Sequence, residues 1–427
     1  MAEGSSARRL ALDVLDRVLG EQRPLDEVFA GHPGLGRLAP RDRAHARLLA
    51  ATALRRLGQI DAVLERFLRE APKSIRVRNL LRLGAAQLLF LHTPAHAAVA
   101  ETVALASGRE GFARGLANAV LRRVAQEGAA LTAAQDAERL NSPDWLWRAW
   151  CASYGESTTR AITAAHLDEP PLDLTVKADP EVWARRLDAE HLYGSTLRRA
   201  AGGAIEDLPG YAQGAWWVQD AAAALPVRLL PDLAGRTAVD LCAAPGGKTA
   251  QLAAAGAKVI AVEAAAKRAE RLAGNLARLA LAAEIVVADA RAWRPPQPVE
   301  RLLLDAPCTA TGTIRRHPDI TWHKRPDDVL RLAALQGQLL VAAVEMLRPD
   351  GILVYASCSL QPEEGEGVTE AALAGGLPLE RLPIERHELA GLAVDLTAAG
   401  DVRTLPCHLA GQGGLDGFFI ARLRRRG

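Results

Sequence analysis

Apolar residues recur at helical spacing from residue 6 to residue 127. Leu10, Val14, Leu15, Val18 and Leu19 form one stripe, and Leu48, Leu49, Ala53, Leu54 and Leu57 a second. Ile60, Val63, Leu64, Phe67 and Leu68 form a third, and Leu80, Leu81, Leu83, Leu88 and Leu89 a fourth. Thr93-Pro94 interrupts the pattern, and Pro94 is placed to start a helix through Val99, Val103 and Leu105. Leu116, Val120, Leu121 and Val124 close the series. Spacing of three and four without strand alternation predicts an all-α helical domain.

The pattern then becomes mixed. Thr132–Trp150 reads as a helix with Trp145, Trp147 and Trp150 near its end. Glu169-Pro170-Pro171 is a break, Leu172–Val176 alternates like a strand, and Asp179-Pro180 caps a helix over Glu181–Leu187. From Ala238 strands alternate with helices. Strands are expected at Ala238–Leu241, Lys258–Val262, Glu284–Val287, Arg301–Leu304, Gly351–Ala356 and Gly417–Leu423, and helices at Lys248–Ala255, Ala265–Leu279 and Asp327–Leu347. This is the grammar of a doubly wound parallel sheet, here with an antiparallel edge near the carboxyl terminus. The expected division is a helical domain over 1–130, an α+β connector over 131–215 and a Rossmann-like α/β domain over 216–427.

A chain of 427 residues accommodates such a multidomain plan. Hydrophobic residues at 49% and charged residues at 24% exclude a mostly disordered chain. No wholly apolar run approaches the roughly 18 residues of a bilayer span, and no apolar signal core follows the first residues, so a cytoplasmic protein without membrane contact is expected. The five cysteines, Cys151, Cys242, Cys308, Cys358 and Cys407, lack zinc-ligand or CxxC spacing, so neither a metal site nor a disulfide framework is expected.

Net charge changes the picture once it is divided. The whole chain carries only +2, but residues 1–127 hold 20 Lys and Arg against 13 Asp and Glu, a net of +7 that leaves −5 for the remainder. A basic helical surface can be simply solvated, or it can meet a polyanion such as nucleic acid. Arginines number 46 against six lysines, which supplies planar donors suited to phosphate.

The candidate chemistry lies at the carboxyl ends of the expected strands, where open α/β sheets bind ligands. The turn Asp240-Leu-Cys242-Ala243-Ala244-Pro245-Gly246-Gly247-Lys248-Thr249 is neither GxGxxG nor a Walker A loop. Its glycines permit close backbone approach. Glu263, Asp289 and Asp305 follow at the ends of the next three strands. A carboxylate at such an end can take ribose hydroxyls. Three over one glycine turn suggest a nucleoside pocket, and the lack of a phosphate signature favours S-adenosylmethionine. Cys308, in Asp305-Ala-Pro-Cys, and Cys358, in Ser357-Cys358-Ser359, should face the same crevice. A thiolate that adds to C6 of a pyrimidine makes C5 nucleophilic enough to attack a methylsulfonium, after which a base removes the C5 proton and the thiol leaves.

Residues 240–249, 302–322 and 355–366, reading DLCAAPGGKT, LLLDAPCTATGTIRRHPDITW and YASCSLQPEEGE, resemble the RNA cytosine-C5 methyltransferases. Arg315-Arg316-His317-Pro318-Asp319-Ile320 is similar to their bacterial small-subunit rRNA subgroup, as are Trp217-Val218-Gln219-Asp220 and Asp416-Gly417-Phe418-Phe419. His96-Ala97-Ala98-Val99 and Gly115–Arg122 resemble the NusB-type RNA-binding domain fused to that subgroup. The resemblance implies Cys358 as nucleophile and Cys308 as the residue that aids product release; the DNA cytosine enzymes, which use the cysteine of a Pro-Cys motif, offer the opposite assignment. It implies cofactor contacts from Cys242, Ala243, Ala244, Pro245, Gly246, Gly247, Lys248, Glu263, Asp289 and Asp305, with Lys248 and Asp305 also able to face the substrate. Departures are Ser357 where threonine is usual, Glu263 where aspartate is frequent, and a connector strand lacking the Leu-Arg-Val-Asn pattern. The implied partner is 16S rRNA, naked or in an assembling small subunit, bound by a monomer. A tRNA substrate and a non-catalytic RNA-binding assembly or antitermination factor are the competing readings.

Overall fold

The computed structural model describes residues 3–427; Met1 and Ala2, which begin the stretch read above for a signal, lie outside them. The described chain forms two compact units. One runs up to Asp168 and includes Ile314–Lys324; the other comprises Glu169–Thr313 and Arg325–Gly427.

The first unit is helical, as its periodicity predicts. Its longer helices are Glu3–Glu21, Pro40–Arg55, Leu57–Glu65, Ile75–Leu89, Ala95–Leu105, Arg114–Ala133 and Asp144–His166, the last interrupted at Gly155, whose φ of 79° is not helical. Leu15, Leu49, Leu54, Ile60, Leu81 and Leu121 come from different stripes and meet in one core. Burying each such side chain contributes roughly 1.5–3 kcal/mol. Ser74 caps the helix Ile75–Leu89, its Oγ accepting from the Val77 amide at 3.4 Å. The core holds a polar knot at Gln87, which accepts from Arg8 Nε at 2.7 Å and donates to Thr102 Oγ1 at 3.1 Å.

Two segments join this unit that periodicity assigned elsewhere. The helix expected over Thr132–Trp150 is broken: one helix ends at Ala133, a short one spans Ala137–Leu140, and another starts at Asp144 after Pro143. Residues up to His166, expected in the connector, fold with the helical unit. The reason is a close backbone approach. A Cβ on Gly58 would lie 1.8 Å from the Leu140 carbonyl oxygen, so only glycine lets the chain pass. Asn141 Oδ1 then accepts from the amides of Gly58 and Gln59 at 3.0 and 3.2 Å.

The second segment is Ile314–Lys324. Asp319 Oδ2 accepts from the Leu25 amide at 3.0 Å, and Trp322 Nε1 donates to the Leu54 carbonyl at 2.8 Å. His317 Nδ1 lies 3.2 Å from Asp26 Oδ2.

The second unit contains two sheets. Strands β1 (Leu172–Val176), β2 (Glu190–Tyr193), β3 (Thr196–Arg199) and β4 (Trp216–Val218) form an antiparallel sheet in the order β2-β3-β1-β4. Asp173 and Arg198, opposite one another on β1 and β3, form a buried two-pronged ion pair with both bonds at 2.7 Å.

The second sheet is built from β5 (Thr237–Leu241), β6 (Lys258–Glu263), β7 (Glu284–Val287), β8 (Val299–Asp305), β9 (Leu347–Ser357), β10 (Leu379–Arg381), β11 (Asp395–Leu396), β12 (Val402–Thr404) and β13 (Phe418–Arg425). Its order is β11-β12-β13-β9-β8-β5-β6-β7, with β10 also on β13. Neighbours from β7 to β9 are parallel, while β13 runs antiparallel to β9. This is the expected doubly wound sheet with an antiparallel edge. The chain reverses direction across the sheet between β5 and β8, the switch point at which such folds bind ligands.

The helix Pro326–Met346 has the length and composition of a membrane span, against the expectation that no segment would. Its Leu339, Leu340, Ala343 and Val344 are buried with β8 and β9 in the core of the sheet. Burial of one face on a sheet is what a core helix of a globular domain requires.

Replacing Arg198 with leucine leaves Asp173 buried without its counter-charge, accepting only from the Ala221 amide at 2.9 Å. The expected result in chemical denaturation is a loss of about 3–5 kcal/mol, with a smaller loss when Asp173 is replaced by leucine as well.

Candidate functional site

β5 ends at Leu241, and the chain turns sharply at Cys242, whose φ of 62° is left-handed. Gly246 has φ 106°, and a Cβ there would lie 2.4 Å from Leu272 Cδ1, so this glycine is required by the fold itself. Gly247, which starts the next helix, is different. A Cβ on it would meet no atom closer than 3.7 Å. That is ordinary packing distance to Gln219 and Trp217, so the fold itself does not demand glycine at this position.

The acidic residues divide into two groups. Glu263 ends β6 and is buried; its Oε2 accepts from the Ala244 amide at 3.3 Å and its Oε1 from the Ala265 amide at 3.1 Å. It thereby ties the glycine turn to the β6 end. Asp305 ends β8 and accepts from Lys248 Nζ at 2.7 Å. Asp289 follows Ala288, whose amide donates to the Glu263 carbonyl at 3.2 Å. It lies two residues beyond β7 rather than at its end, on the surface, with both oxygens engaged by Arg291.

Asp240 was not singled out from the sequence, yet it lies completely buried beneath the turn. Thr249 Oγ1 donates to its Oδ2 at 2.6 Å, and its Oδ1 has no hydrogen-bond partner among the described residues. Burial, opposed by the Thr249 bond and reinforced by Asp305, pushes its carboxyl up to about 7. A buried Asp240 oxygen without a partner among the described residues and the buried Glu263 carboxylate are acceptors that fit a cationic nucleoside such as S-adenosylmethionine. Cys242 takes no part as a thiolate, since burial, Asp305 and Glu263 push its thiol up to about 12.

The two remaining cysteines meet. Cys308 follows β8 and Cys358 follows β9, and their Sγ atoms are 3.3 Å apart. Lys248 Nζ, already paired with Asp305, lies 5.1 Å from the centre of the Phe418 ring. The Cys308 thiol and burial hold the Cys358 thiol well above the usual cysteine range, and the Lys248 cation opposes them. Burial lowers the Lys248 pKa, but Asp305 outweighs it and the ammonium stays charged.

Residues that sequence reasoning missed hold the two cysteine loops. Thr309 and Ser359, each next to a cysteine, both bond the buried Glu364. Arg403 Nη1 donates to the Ser359 carbonyl at 2.8 Å. Gly312 and Gly417 touch backbone to backbone, and a Cβ on Gly312 would lie 2.0 Å from the Gly417 oxygen. Glu364 and Gly417 lay inside quoted motifs, but only the folded loops show what they bond. Arg403 had no local signal. Among the described residues no group of three or more His, Cys, Asp or Glu is placed to hold a metal ion.

Residues 228–424 match the family described as 16S rRNA methyltransferase RsmB/F, and residues 5–126 match the NusB family. Ribosomal RNA small subunit methyltransferase B of Pseudomonas putida is 37% identical to this chain, covering 95% of it and 97% of that protein. The protein of the same name from Cronobacter sakazakii is 34% identical and covers 100% of both. Among solved structures, PH0851 superposes with a TM-score of 0.77 at 22% identity over 99% of both chains. A methyltransferase homolog from Pyrococcus horikoshii gives 0.52 at 26% identity, covering 64% of this chain and 92% of that one.

The raised Asp240 carboxyl has a pH consequence. Its folded pKa of about 7 lies above its ordinary 3.8, so the folded state holds the proton more tightly. That contribution to stability is full below about pH 4 and is lost as pH rises through about 7. Denaturant titrations from pH 5 to pH 8 should show wild type losing roughly 2–4 kcal/mol relative to Asp240→Asn, which cannot ionise.

Proposed function

Because the chain belongs to the ribosomal RNA small subunit methyltransferase B family, we propose that it methylates C5 of a cytosine in 16S rRNA, with S-adenosylmethionine as donor and Cys358 as nucleophile. The observation that carries this reading is the pair of thiols 3.3 Å apart beside the Lys248–Asp305 ion pair. A single cysteine suffices for most thiol chemistry. Two, placed at one point of the crevice, suit a reaction that must both make and break a carbon–sulfur bond.

When bound, S-adenosylmethionine supplies an electrophilic methyl group. Asp240, Glu263, Asp289, Asp305 and the Gly246-Gly247 turn would hold it. Cys358 gives up its proton and its sulfur bonds C6 of the cytosine. The electron pair displaced to C5 would take the methyl group as its bond to the sulfonium sulfur breaks, that bonding pair leaving with S-adenosylhomocysteine. The C5 proton is then removed, the carbon–sulfur bond breaks, and the C5–C6 double bond returns with methyl in place of hydrogen. Cys308 lies where it assists that last elimination. Asp305 would accept from the cytosine amine, and the Lys248 ammonium would stabilise the ionised Cys358.

The substrate assignment follows the relatives' names and the basic first unit, whose net charge of +7 over residues 1–127 suits phosphate contact. Reaching C5 and C6 requires an unstacked base, from a loop or flipped from a helix. The reaction would take place in the cytoplasm.

Labelled S-adenosylmethionine, unmodified 16S rRNA, a small-subunit intermediate and tRNA test the proposal together. Expected is label on cytosine C5 of rRNA, reduced to background in Cys358→Ala. In Cys308→Ala a covalent enzyme–RNA adduct should accumulate and migrate slowly on a denaturing gel. Label on tRNA alone would overturn the substrate, and full activity in Cys358→Ala would overturn the nucleophile. Cofactor binding with no transfer to any of these RNAs would favour a non-catalytic assembly role.

A further inference from the structure

The two cysteines sit on loops after separate strands, and strand pairing alone does not fix side chains several residues beyond the last ladder bond. One buried carboxyl group does. Glu364 is fully buried, in the short turn Pro362–Glu364 that follows the Cys358 loop. Its Oε1 accepts from the amide of Thr309, next to Cys308, at 2.8 Å, and from Gln336 Nε2 at 3.2 Å. Its Oε2 accepts from the hydroxyl of Ser359, next to Cys358, at 2.6 Å, and from the Thr309 hydroxyl. Four donors converge on one carboxylate, and three come from residues adjacent to the two cysteines. Gln336 also donates to the Pro307 carbonyl at 2.9 Å, and the Tyr355 hydroxyl donates to the Glu364 carbonyl at 2.8 Å. The network therefore reaches both strand ends and the helix Pro326–Met346.

We propose that Glu364 is a positioning residue that sets the separation of Cys308 and Cys358 by clamping Thr309 and Ser359 together, and so couples adduct formation to product release. This rests on the function proposed above. It adds a residue that touches neither substrate nor cofactor and acts through the two thiols. A stability role alone would lower the melting temperature without changing how the thiols meet. A positioning role alters their encounter and the fate of the covalent adduct.

The test uses the full chain carrying Glu364→Gln, which keeps shape but replaces an acceptor with a donor, and Thr309→Val, which removes one clamped hydroxyl. One readout does not depend on RNA. Hydrogen peroxide takes two protons and two electrons from the paired thiols, giving one disulfide and two waters, followed by the loss of free thiol in a Cys151, Cys242 and Cys407 to serine background. The disulfide should form about tenfold more slowly in both variants, because its Sγ atoms must close to about 2.05 Å from a set geometry. The second readout is the partition of RNA between released product and covalent adduct, which should shift toward adduct as in Cys308→Ala. Binding of S-adenosylhomocysteine should stay within about twofold of wild type, reporting an intact cofactor turn.

Wild-type disulfide rates in both variants would overturn the clamp. Slowed disulfide formation with unchanged release would overturn the coupling. Slowed disulfide formation with no adduct in any variant, including Cys308→Ala, would keep the clamp and overturn the cytosine mechanism instead. Should Glu364→Gln fail to fold, Thr309→Val alone decides.

Discussion

Parallel strands lie about 4.8 Å apart, so two chains leaving neighbouring strands at the same level start close enough to share one side-chain environment. β8 and β9 are paired with Asp305 opposite Ala356, and the Ala306 amide still donates to the Ala356 carbonyl at 2.9 Å. Cys308 and Cys358 follow by three and two residues. Everything else around the thiols depends on that register. A slip of one residue would shift one loop along its neighbour by about 3.3 Å and part the thiols. The buried helix Pro326–Met346, which covers this part of the sheet, resists such a slip through its apolar face. Gly312 and Gly417 close the loops over the register from the other side, where any side chain would separate them.

How much of this was legible in the sequence depends on the range of the interaction. The parallel strands and their helices were readable to within a few residues because alternation and helical periodicity are local, and each expected strand from Ala238 onward has its counterpart among β5 to β9 and β13. Strand ends that carry Glu263 and Asp305 followed directly. Asp289 did not, because β7 stops at Val287 and the next turn points its carboxylate at Arg291. β2, β3 and β4 were missed: they are three or four residues long, too short for a period to declare itself. The helical unit's claim on Ile314–Lys324 was invisible for another reason. Asp319 bonds Leu25 across 294 residues of sequence, and no local pattern encodes that partner.

The motifs also concealed the difference between residues that react and residues that hold. Asp240 and Glu364 stand within conspicuous motifs, yet neither has the position of a strand-end ligand. Only burial identifies them: each carboxyl is taken out of water, and each is pushed up in pKa by that burial. Glu364 is compensated by four donors and has a structural address. Asp240 has a single side-chain donor, Thr249, and no partner for its other oxygen among the described residues.

The electrostatics of the crevice then bear on when the thiol can react. Asp240, Glu263 and Asp305 surround the turn, with Lys248 as the cation nearest the cysteines. In this field Cys358 is a thiol, since its neighbour, its burial and Asp305 all disfavour the anion. A neutral thiol is a poor nucleophile. A cationic ligand beside those carboxylates would offset part of their field, lowering the thiol's pKa in the same step that delivers the group to be transferred.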